Sequence, residues 1–219
     1  MSKFEKPKSL TGLVTDEIRQ QIVSGELDLG AMLSEVRLAK SLEISRTPIR
    51  EAFNRLEMEG LVRTVPQRGT FVFSLEPEEL GKISDVRVSL ETAALRHAFR
   101  VQPEALAKDL GACVNDMGRA REAGNDSRYL AADTRFHQIL FDRADNRFLN
   151  DAYQTIASKM AALRNRLGNH PEHMSKSFDE HQRMVDCLKA GDVDAAEDIL
   201  IKHIGRKEGS YWRLASTED

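Results

Sequence analysis

The sequence predicts a mainly α-helical fold with two domains: an N-terminal domain of three helices and one β-hairpin, and a C-terminal antiparallel α-helical bundle. Apolar residues recur every three or four positions through most of the 219 residues, which is the spacing of helices with one buried face. Residues 61–65 and 70–75 are instead rich in residues that favour strands. The acid-rich segment after Pro77 is typical of a helix start. It places the boundary between domains 1–75 and 76–219.

The N-terminal domain begins with an apolar stripe at helical spacing, and a short amphipathic segment follows over residues 34–42. Residues 43–45 join that segment to a third helix that starts near Arg46. Two helices joined by so short a turn are typical of a helix-turn-helix unit. The first stripe supplies another helix for the core and consists of Leu10, Leu13, Val14, Ile18, Ile22 and Val23.

The third helix carries a polar row opposite its apolar face. Arg46, Arg50 and Asn54 follow one another at steps of four, so their side chains lie along one side of the helix. Arg can bridge two guanine acceptors or grip a phosphate, and Asn can pair with adenine, so the row suits a major groove. The apolar face must pack on a core and is formed by Ile49, Ala52, Phe53 and Leu56.

Signals for the ends of this helix, and for a hairpin after it, are also present. Ser45 or Thr47 can cap its start, Pro48 is tolerated in its first turn, and Gly60 can end it. Residues 66–69 form a turn sequence that would project Arg68 from the tip of the hairpin. Together these elements predict a winged helix-turn-helix.

Charge by itself does not indicate DNA binding. Residues 1–75 carry 11 Lys and Arg against 10 Asp and Glu, and the formal net charge of the chain is -3. Glu51, Glu57 and Glu59 dilute the positive charge of the third helix. The alternative is therefore a small helical core with a solvated charged face. The order of an Arg-bearing helix, a Gly stop and an Arg-tipped hairpin favours DNA binding.

The N-terminal third resembles the GntR family of bacterial transcription regulators. The matching positions are residues 22–27, Gly30, Leu33, Glu35, residues 38–39, residues 45–52, Leu56, residues 59–62 and residues 68–69. The sequence departs from the family at Leu29, where Pro is usual, and at Val36, where some members present an Arg to DNA; Arg37 could replace that Arg or be merely solvated. Our candidate DNA-binding residues are Arg37, Ser45, Arg46, Thr47, Arg50, Asn54, Arg68 and Gly69.

The remainder of the chain predicts a bundle of amphipathic helices with short loops. The expected helices cover residues 77–100, 103–123, 127–143, 147–167, 176–190 and 192–212. Cys113 and Cys187 lie in helical patterns and are expected to be free thiols, which suits a reducing compartment. We find no signal peptide and no long apolar run, so we expect a cytoplasmic protein without a membrane partner.

A carboxylate and three imidazoles of the bundle form a candidate metal site. Asp133 and His137 stand four residues apart on an inward helix face. His181 comes ten residues before Gly191 and His203 twelve after it, so in an antiparallel hairpin the two imidazoles reach nearly the same height. Such a set suits a divalent metal; zinc is our first choice, and nickel, manganese and iron stay open. The other histidines, His97, His170 and His173, are expected to be structural or exposed.

Residues 78–212 resemble FCD, the ligand-binding domain of the FadR subgroup of GntR regulators. The resemblance rests on Asp133-x-x-x-His137, Asn146, the Glu180-His181 pair, residues 190–192, residues 195–196 and His203. It implies a divalent metal beside a small carboxylate effector. Arg87 resembles the Arg of the family's first bundle helix and is the leading candidate to bind that carboxylate, with Arg135 and Arg164 after it; each could instead form a surface ion pair.

The first hypothesis is a homodimeric, ligand-responsive transcription regulator that binds a near-palindromic operator in double-stranded DNA. Activation and repression both stay open, and the resemblance to the family favours repression. The second is a metal-dependent hydrolytic enzyme that uses the Asp/His₃ set to activate water; because no general base is evident beside that set, we do not expect an enzyme. A third reading keeps the DNA-binding module and makes the metal purely structural. The sequence leaves open the effector, the operator, and whether the effector releases or strengthens DNA binding.

Overall fold

The computed structural model describes residues 8–167 and 171–205. The chain divides into two compact units, residues 1–74 and 75–219. Over the described residues, the first unit holds three helices and a small sheet, and the second holds six helices. The expected fold class, mainly α with an N-terminal winged helix-turn-helix and a C-terminal helical bundle, is confirmed.

The helix-turn-helix unit and its supporting helix pack through their apolar stripes. They comprise α1 (Leu10–Ser24), α2 (Glu35–Ser41) and α3 (Arg46–Met58). Ser9 caps α1 and Ser34 caps α2, and each side chain accepts a hydrogen bond from the backbone N–H three residues ahead. Ser45 stands at the N-cap position of α3 without a capping hydrogen bond from its side chain, so the expected cap is not formed there. The shared core includes Val14, Ile18, Ile22, Ile49, Ala52, Phe53 and Leu56, all buried.

The sheet of this unit has three short antiparallel strands, and the last of them in chain order lies between the other two. The expected hairpin is β2 (Val62–Val65) with β3 (Gly69–Val72), and Val62 pairs with Val72. We call residues 62–72 the wing. The second strand ends three residues before the expected position, and β1 (Met32–Leu33) was not expected, because a two-residue strand has no periodicity to detect. Gly69 has φ 113°, a left-handed backbone that favours glycine at the wing turn.

The second unit is an all-helical bundle over the described residues. Its helices are α4 (Pro77–Val101), α5 (Pro103–Glu122), α6 (Asp126–Ala144), α7 (Arg147–Leu167), α8 (Pro171–Lys189) and α9 (Val193–Ile204). A capping box between Glu76 and Glu79 fixes the start of α4. The structure places the start of α8 at Pro171, five residues before the expected position, because Pro suits the first turn of a helix. Helix α9 ends at Ile204 with Gly205 as its C-cap, short of the expected end at residue 212. Residues 206–212 and His170 lie outside the described residues.

Helix α6 lies at the centre of the bundle and packs against α4, α5 and α7. Helix α9 packs against both α4 and α8. The core holds large aromatic side chains, and the rings of Phe141 and Tyr153 stack with their centroids 4.1 Å apart. This packing brings inward-facing residues of α4, α6, α8 and α9 together. None of the described helices is long and apolar enough to span a bilayer.

Candidate nucleic-acid interface and metal centre

The polar row of α3 is exposed, as its spacing predicts. The buried face of α3 leaves Arg46, Arg50 and Asn54 on the solvent side, and the Arg46 and Arg50 side chains are 57% and 61% exposed. Thr47 is exposed beside them. These side chains are therefore accessible to a DNA duplex, and base contacts remain our prediction for them.

The other candidate DNA-binding residues flank this row along the chain. Arg37 is exposed on α2, and Ser45 is exposed directly before α3. Arg68 and Gly69 are exposed at the wing turn, where the Arg68 N–H donates to the Val65 carbonyl at 3.0 Å. Their roles also remain predictions.

Glu35, at the start of α2, accepts hydrogen bonds from both arginines of the polar row of α3. Its Oε2 accepts a hydrogen bond from Arg46 Nη2 at 2.8 Å and one from Arg50 Nη2 at 3.1 Å, and its Oε1 accepts from Arg50 Nε at 3.2 Å. These bonds, led by the one from Arg50, lower the pKa of Glu35. The sequence reasoning gave Glu35 no role, although an acid at a helix start facing an Arg row is a usable signal.

The acidic residues of α3 anchor the helix rather than only diluting its charge. Glu51 accepts from the Thr11 hydroxyl at 2.6 Å, and Glu59 accepts from Arg19 Nη2 at 2.7 Å, which ties α3 to α1. Glu57 accepts from the backbone N–H of Thr64 at 2.6 Å, which ties α3 to the wing. The helix is therefore fixed on two sides while its Arg row stays exposed.

The four candidate metal ligands meet inside the bundle. Helix α6 supplies Asp133 and His137, α8 supplies His181 and α9 supplies His203. One ligand atom from each lies within 4.8 Å of every other. The His181 and His203 rings have centroids 4.6 Å apart, as their matched distances from Gly191 predict. Asp133, His137 and His181 are buried, and the His203 side chain is 6% exposed. We call these four residues the Asp/His cluster.

Burial sets the protonation of the Asp/His cluster. Desolvation is the largest cause lowering the pKa of each imidazole: to about 3 for His181, to about 4 for His203 and well below the ordinary value for His137. Burial would raise the pKa of Asp133, but His181, His137 and Arg164 outweigh it and hold this pKa well below its usual range. At neutral pH the cluster therefore offers one carboxylate and three neutral imidazoles, the forms that bind metal ions.

Two carboxylates outside the Asp/His cluster orient its imidazoles. Glu91 Oε2 lies 2.7 Å from His137 Nδ1, and Glu180 Oε2 lies 2.9 Å from His203 Nδ1. Carboxylates that hold the remote nitrogen of an imidazole are typical partners of metal-ligating histidines. Sequence reasoning missed Glu91. The available signal was its position four residues after Arg87, on the same helix face.

The three candidate effector arginines occupy different surroundings. Arg87 is buried, its Nε donates to Glu91 Oε1 at 2.5 Å, and its Nη2 lies 2.8 Å from His137 Nε2. Arg164 is buried, and its Nε lies 3.6 Å from Asp133 Oδ2. Arg135 is 54% exposed and pairs with Asp142 at 2.5 Å, because its position on α6 faces solvent rather than the Asp/His cluster. We therefore leave Arg135 out of the candidate effector site.

Comparison with known proteins identifies both units. Residues 10–72 match the model of the bacterial regulatory proteins of the gntR family, and residues 82–206 match that of the FCD domain. The chain belongs to the GntR family. Its FCD domain fits the FadR subgroup. Members of this family are DNA-binding transcriptional regulators, so the expectation of no enzyme is confirmed and the alternative of a hydrolytic enzyme is wrong.

Curated relatives of this GntR regulator include repressors of sugar and sugar-acid operons. It is 28% identical over 191 residues to the gluconate operon transcriptional repressor of Bacillus subtilis (strain 168), covering 84% of this chain and 78% of that protein. It is 30% identical over 191 residues to the "Probable D-xylose utilization operon transcriptional repressor" of Paenarthrobacter nicotinovorans, covering 87% and 84%. Among solved structures, E. coli McbR/YncC has a TM-score of 0.77 at 22% identity, covering 90% of this chain and 94% of that one, a likeness of fold.

Proposed function

We propose that this GntR regulator is a repressor that binds a near-palindromic operator as a homodimer and senses a small carboxylate at a metal-supported centre. The exposed Arg46, Arg50 and Asn54 row supports operator binding. A single winged unit makes few base contacts, and two copies that read half-sites supply the missing specificity. Because the proposed partner is chromosomal DNA, we place the protein in the bacterial cytoplasm. The two curated relatives, by name transcriptional repressors of a gluconate operon and of a D-xylose utilization operon, support repression.

The Asp/His cluster carries the proposal of a metal. Within the described residues, neither ring nitrogen of buried His181 has a hydrogen-bond partner, and its Nδ1 lies 3.8 Å from Asp133 Oδ1. Buried polar atoms without partners are uncommon, and a coordinated cation would satisfy this ring. The donor set fits zinc, our first choice, and also nickel, manganese or iron. When bound, such an ion supplies a Lewis-acid position for one carboxylate oxygen.

Two buried guanidinium groups support a carboxylate as the sensed ligand. Arg87 and Arg164 flank the Asp/His cluster, and no nitrogen of Arg164 makes a hydrogen bond within the described residues. Burial alone would lower the pKa of Arg164, but Tyr153 and Asp133 raise it, so the group keeps its charge. A buried cation with unused donors is suited to an organic acid. We propose that acid binding shifts the population between arrangements of the two winged units and so changes operator affinity.

The proposal is tested by metal analysis, a thermal-shift screen and operator binding on the full chain. We expect a divalent metal in the purified protein, its loss in His181→Gln, and its retention in the matched variant His97→Gln, whose ring lies outside the Asp/His cluster. We expect at least one acid from a panel that includes sugar acids to raise Tm and to change operator affinity. A full metal content without a shift from any acid would make the metal structural, whereas absence of metal would contradict the centre itself.

A further inference from the structure

Arg87 makes a contact that carboxylate binding does not explain. Its Nη2 lies 2.8 Å from His137 Nε2, while its Nε donates to Glu91 Oε1 at 2.5 Å. The other oxygen of Glu91 lies 2.7 Å from His137 Nδ1. All three side chains are buried, with Glu91 and His137 fully so. They form a closed ring of contacts at the edge of the Asp/His cluster.

The contacts among Arg87, Glu91 and His137 permit only one tautomer of the His137 imidazole. A guanidinium has donors and no acceptor, so His137 Nε2 must present its lone pair to Arg87. His137 Nδ1 then carries the proton and donates it to the Glu91 carboxylate. A metal ion coordinated by His137 would need an available lone pair, and Nε2 holds it. Arg87 and a cation therefore compete for the same lone pair.

We propose that Arg87 gates the Asp/His cluster: in the metal-free protein it occupies the Nε2 lone pair of His137, and it turns to a bound carboxylate when that lone pair is given to a cation. The inference rests on the metal centre proposed above. Arg87 stays tethered through its Nε to Glu91, so only the Nη2 end has to move. Carboxylate binding at Arg87 then requires prior cation binding, because without a cation the Arg87 guanidinium is satisfied within the protein.

The charges around His137 also favour binding of the cation before the carboxylate. While the imidazoles are neutral, the carboxylates of Asp133, Glu91 and Glu180 outnumber the guanidinium groups of Arg87 and Arg164 by one negative charge. A divalent cation would change this to one excess positive charge. The centre would then attract a carboxylate that it repels when it holds no cation. By linkage, the carboxylate must strengthen cation binding by the factor by which the cation strengthens carboxylate binding.

Zinc titration into the metal-free full-length protein tests the gate. We expect Arg87→Met to bind Zn²⁺ roughly tenfold or more tightly than the wild type without acetate, because a competing charge-assisted hydrogen bond is lost. Excess acetate should tighten Zn²⁺ binding to the wild type more than to this variant, which keeps only Arg164 and the cation as partners for acetate. Arg135→Met is the matched control, an Arg on α6 that faces solvent, and it should behave as the wild type. Equal or weaker Zn²⁺ binding by a folded Arg87→Met would overturn the gate, and so would an undiminished response of this variant to acetate.

A measurement on the wild type keeps the test independent of the fold of the variant. In ¹⁵N-labelled protein, we expect His137 Nδ1 to be protonated both before and after Zn²⁺ is added, and only Nε2 to change its environment. A proton on Nε2 in the metal-free protein would overturn the gate. If the wild type binds no Zn²⁺, nickel, manganese or iron, the metal centre itself is wrong; if it binds one but fails the Arg87 tests, only the gate is wrong.

Discussion

His203 Nδ1 lies 2.9 Å from Oε2 of Glu180, the residue directly before the candidate ligand His181 on α8. Helix α8 thus supplies one imidazole of the Asp/His cluster and orients another that α9 contributes. Helix α4 orients the imidazole that α6 contributes, because Glu91 Oε2 lies 2.7 Å from His137 Nδ1. Each of these imidazoles is fixed by a carboxylate from a different helix. The geometry of the cluster therefore depends on packing between α4 and α6 and between α8 and α9.

Replacement of Glu180 tests this dependence. We expect Glu180→Gln to lower metal affinity by about 10- to 100-fold, because the amide no longer provides the charged acceptor that orients His203. Competition with a chromophoric chelator measures the change. Asp179→Asn is the matched control, since Asp179 is exposed and immediately precedes Glu180. Unchanged affinity in Glu180→Gln would show that α9 packing alone positions His203.

Replacement of Arg46 and Arg50, the arginines of the polar row of α3, tests the proposed DNA interface. We expect Arg46→Ala and Arg50→Ala each to weaken operator binding by about 1–3 kcal/mol per lost base contact. Arg119→Ala is a suitable control, because this α5 side chain is 61% exposed, like that of Arg50, and lies in the other unit. Fluorescence anisotropy with a selected operator duplex measures the effect. Undiminished binding in both α3 variants would exclude α3 as the recognition helix.

The Asp/His cluster could be predicted because its geometry is largely local. Asp133 and His137 share a helix face by their spacing, and Gly191 fixes the relative heights of His181 and His203 once α8 and α9 form a hairpin. The buried stripe of α3 is predictable for the same reason. These inferences need only the helical period and one turn.

Contacts between distant elements could not be predicted in the same way. Glu91 meets His137 across 46 residues, and a carboxylate on an inward helix face could equally form an ion pair with Arg87 alone. Glu35 meets Arg46 and Arg50 only because the turn after α2 sets the angle between two helices. Exposure of Arg135, by contrast, follows from the helical period, because it stands two residues from both Asp133 and His137 and so lies on the opposite face of α6. Tertiary packing decides the contacts of Glu91 and Glu35.

Removal of the Glu35 carboxylate should affect specificity more than stability. Surface ion pairs contribute about 0–1 kcal/mol, so Glu35→Gln should change Tm little. Arg46 and Arg50 lose their common anchor, and one negative charge leaves the surface that we propose to face DNA. We therefore expect tighter binding to non-operator DNA and a smaller ratio between operator and non-operator affinities. Titrations of both duplexes at several salt concentrations measure this ratio. Glu43→Gln is the control, because Glu43 is an exposed acid in the turn after α2. An unchanged ratio of operator to non-operator affinity in Glu35→Gln would contradict the anchoring role of Glu35.

The metal-free protein should lose stability as pH falls from 7 to 5. The pKa of His181 is about 3 and that of His203 about 4 when folded, against 6.5 in the unfolded chain, so the unfolded chain takes up protons first. At pH 5, each of these two imidazoles therefore lowers the free energy of unfolding by about 2 kcal/mol. Asp133 adds little in this range, since its carboxyl is ionised in both states above pH 5.

Denaturant unfolding of the metal-free protein at a series of pH values measures this loss. His181→Gln removes one titrating ring and should flatten the dependence, whereas His97→Gln, whose ring lies outside the Asp/His cluster, should keep the wild-type slope. A saturating divalent metal should raise stability at pH 7 more than at pH 5, because protons and the cation compete for the same imidazoles. Stability that is constant between pH 7 and 5 in the metal-free wild type would contradict the burial of neutral imidazoles.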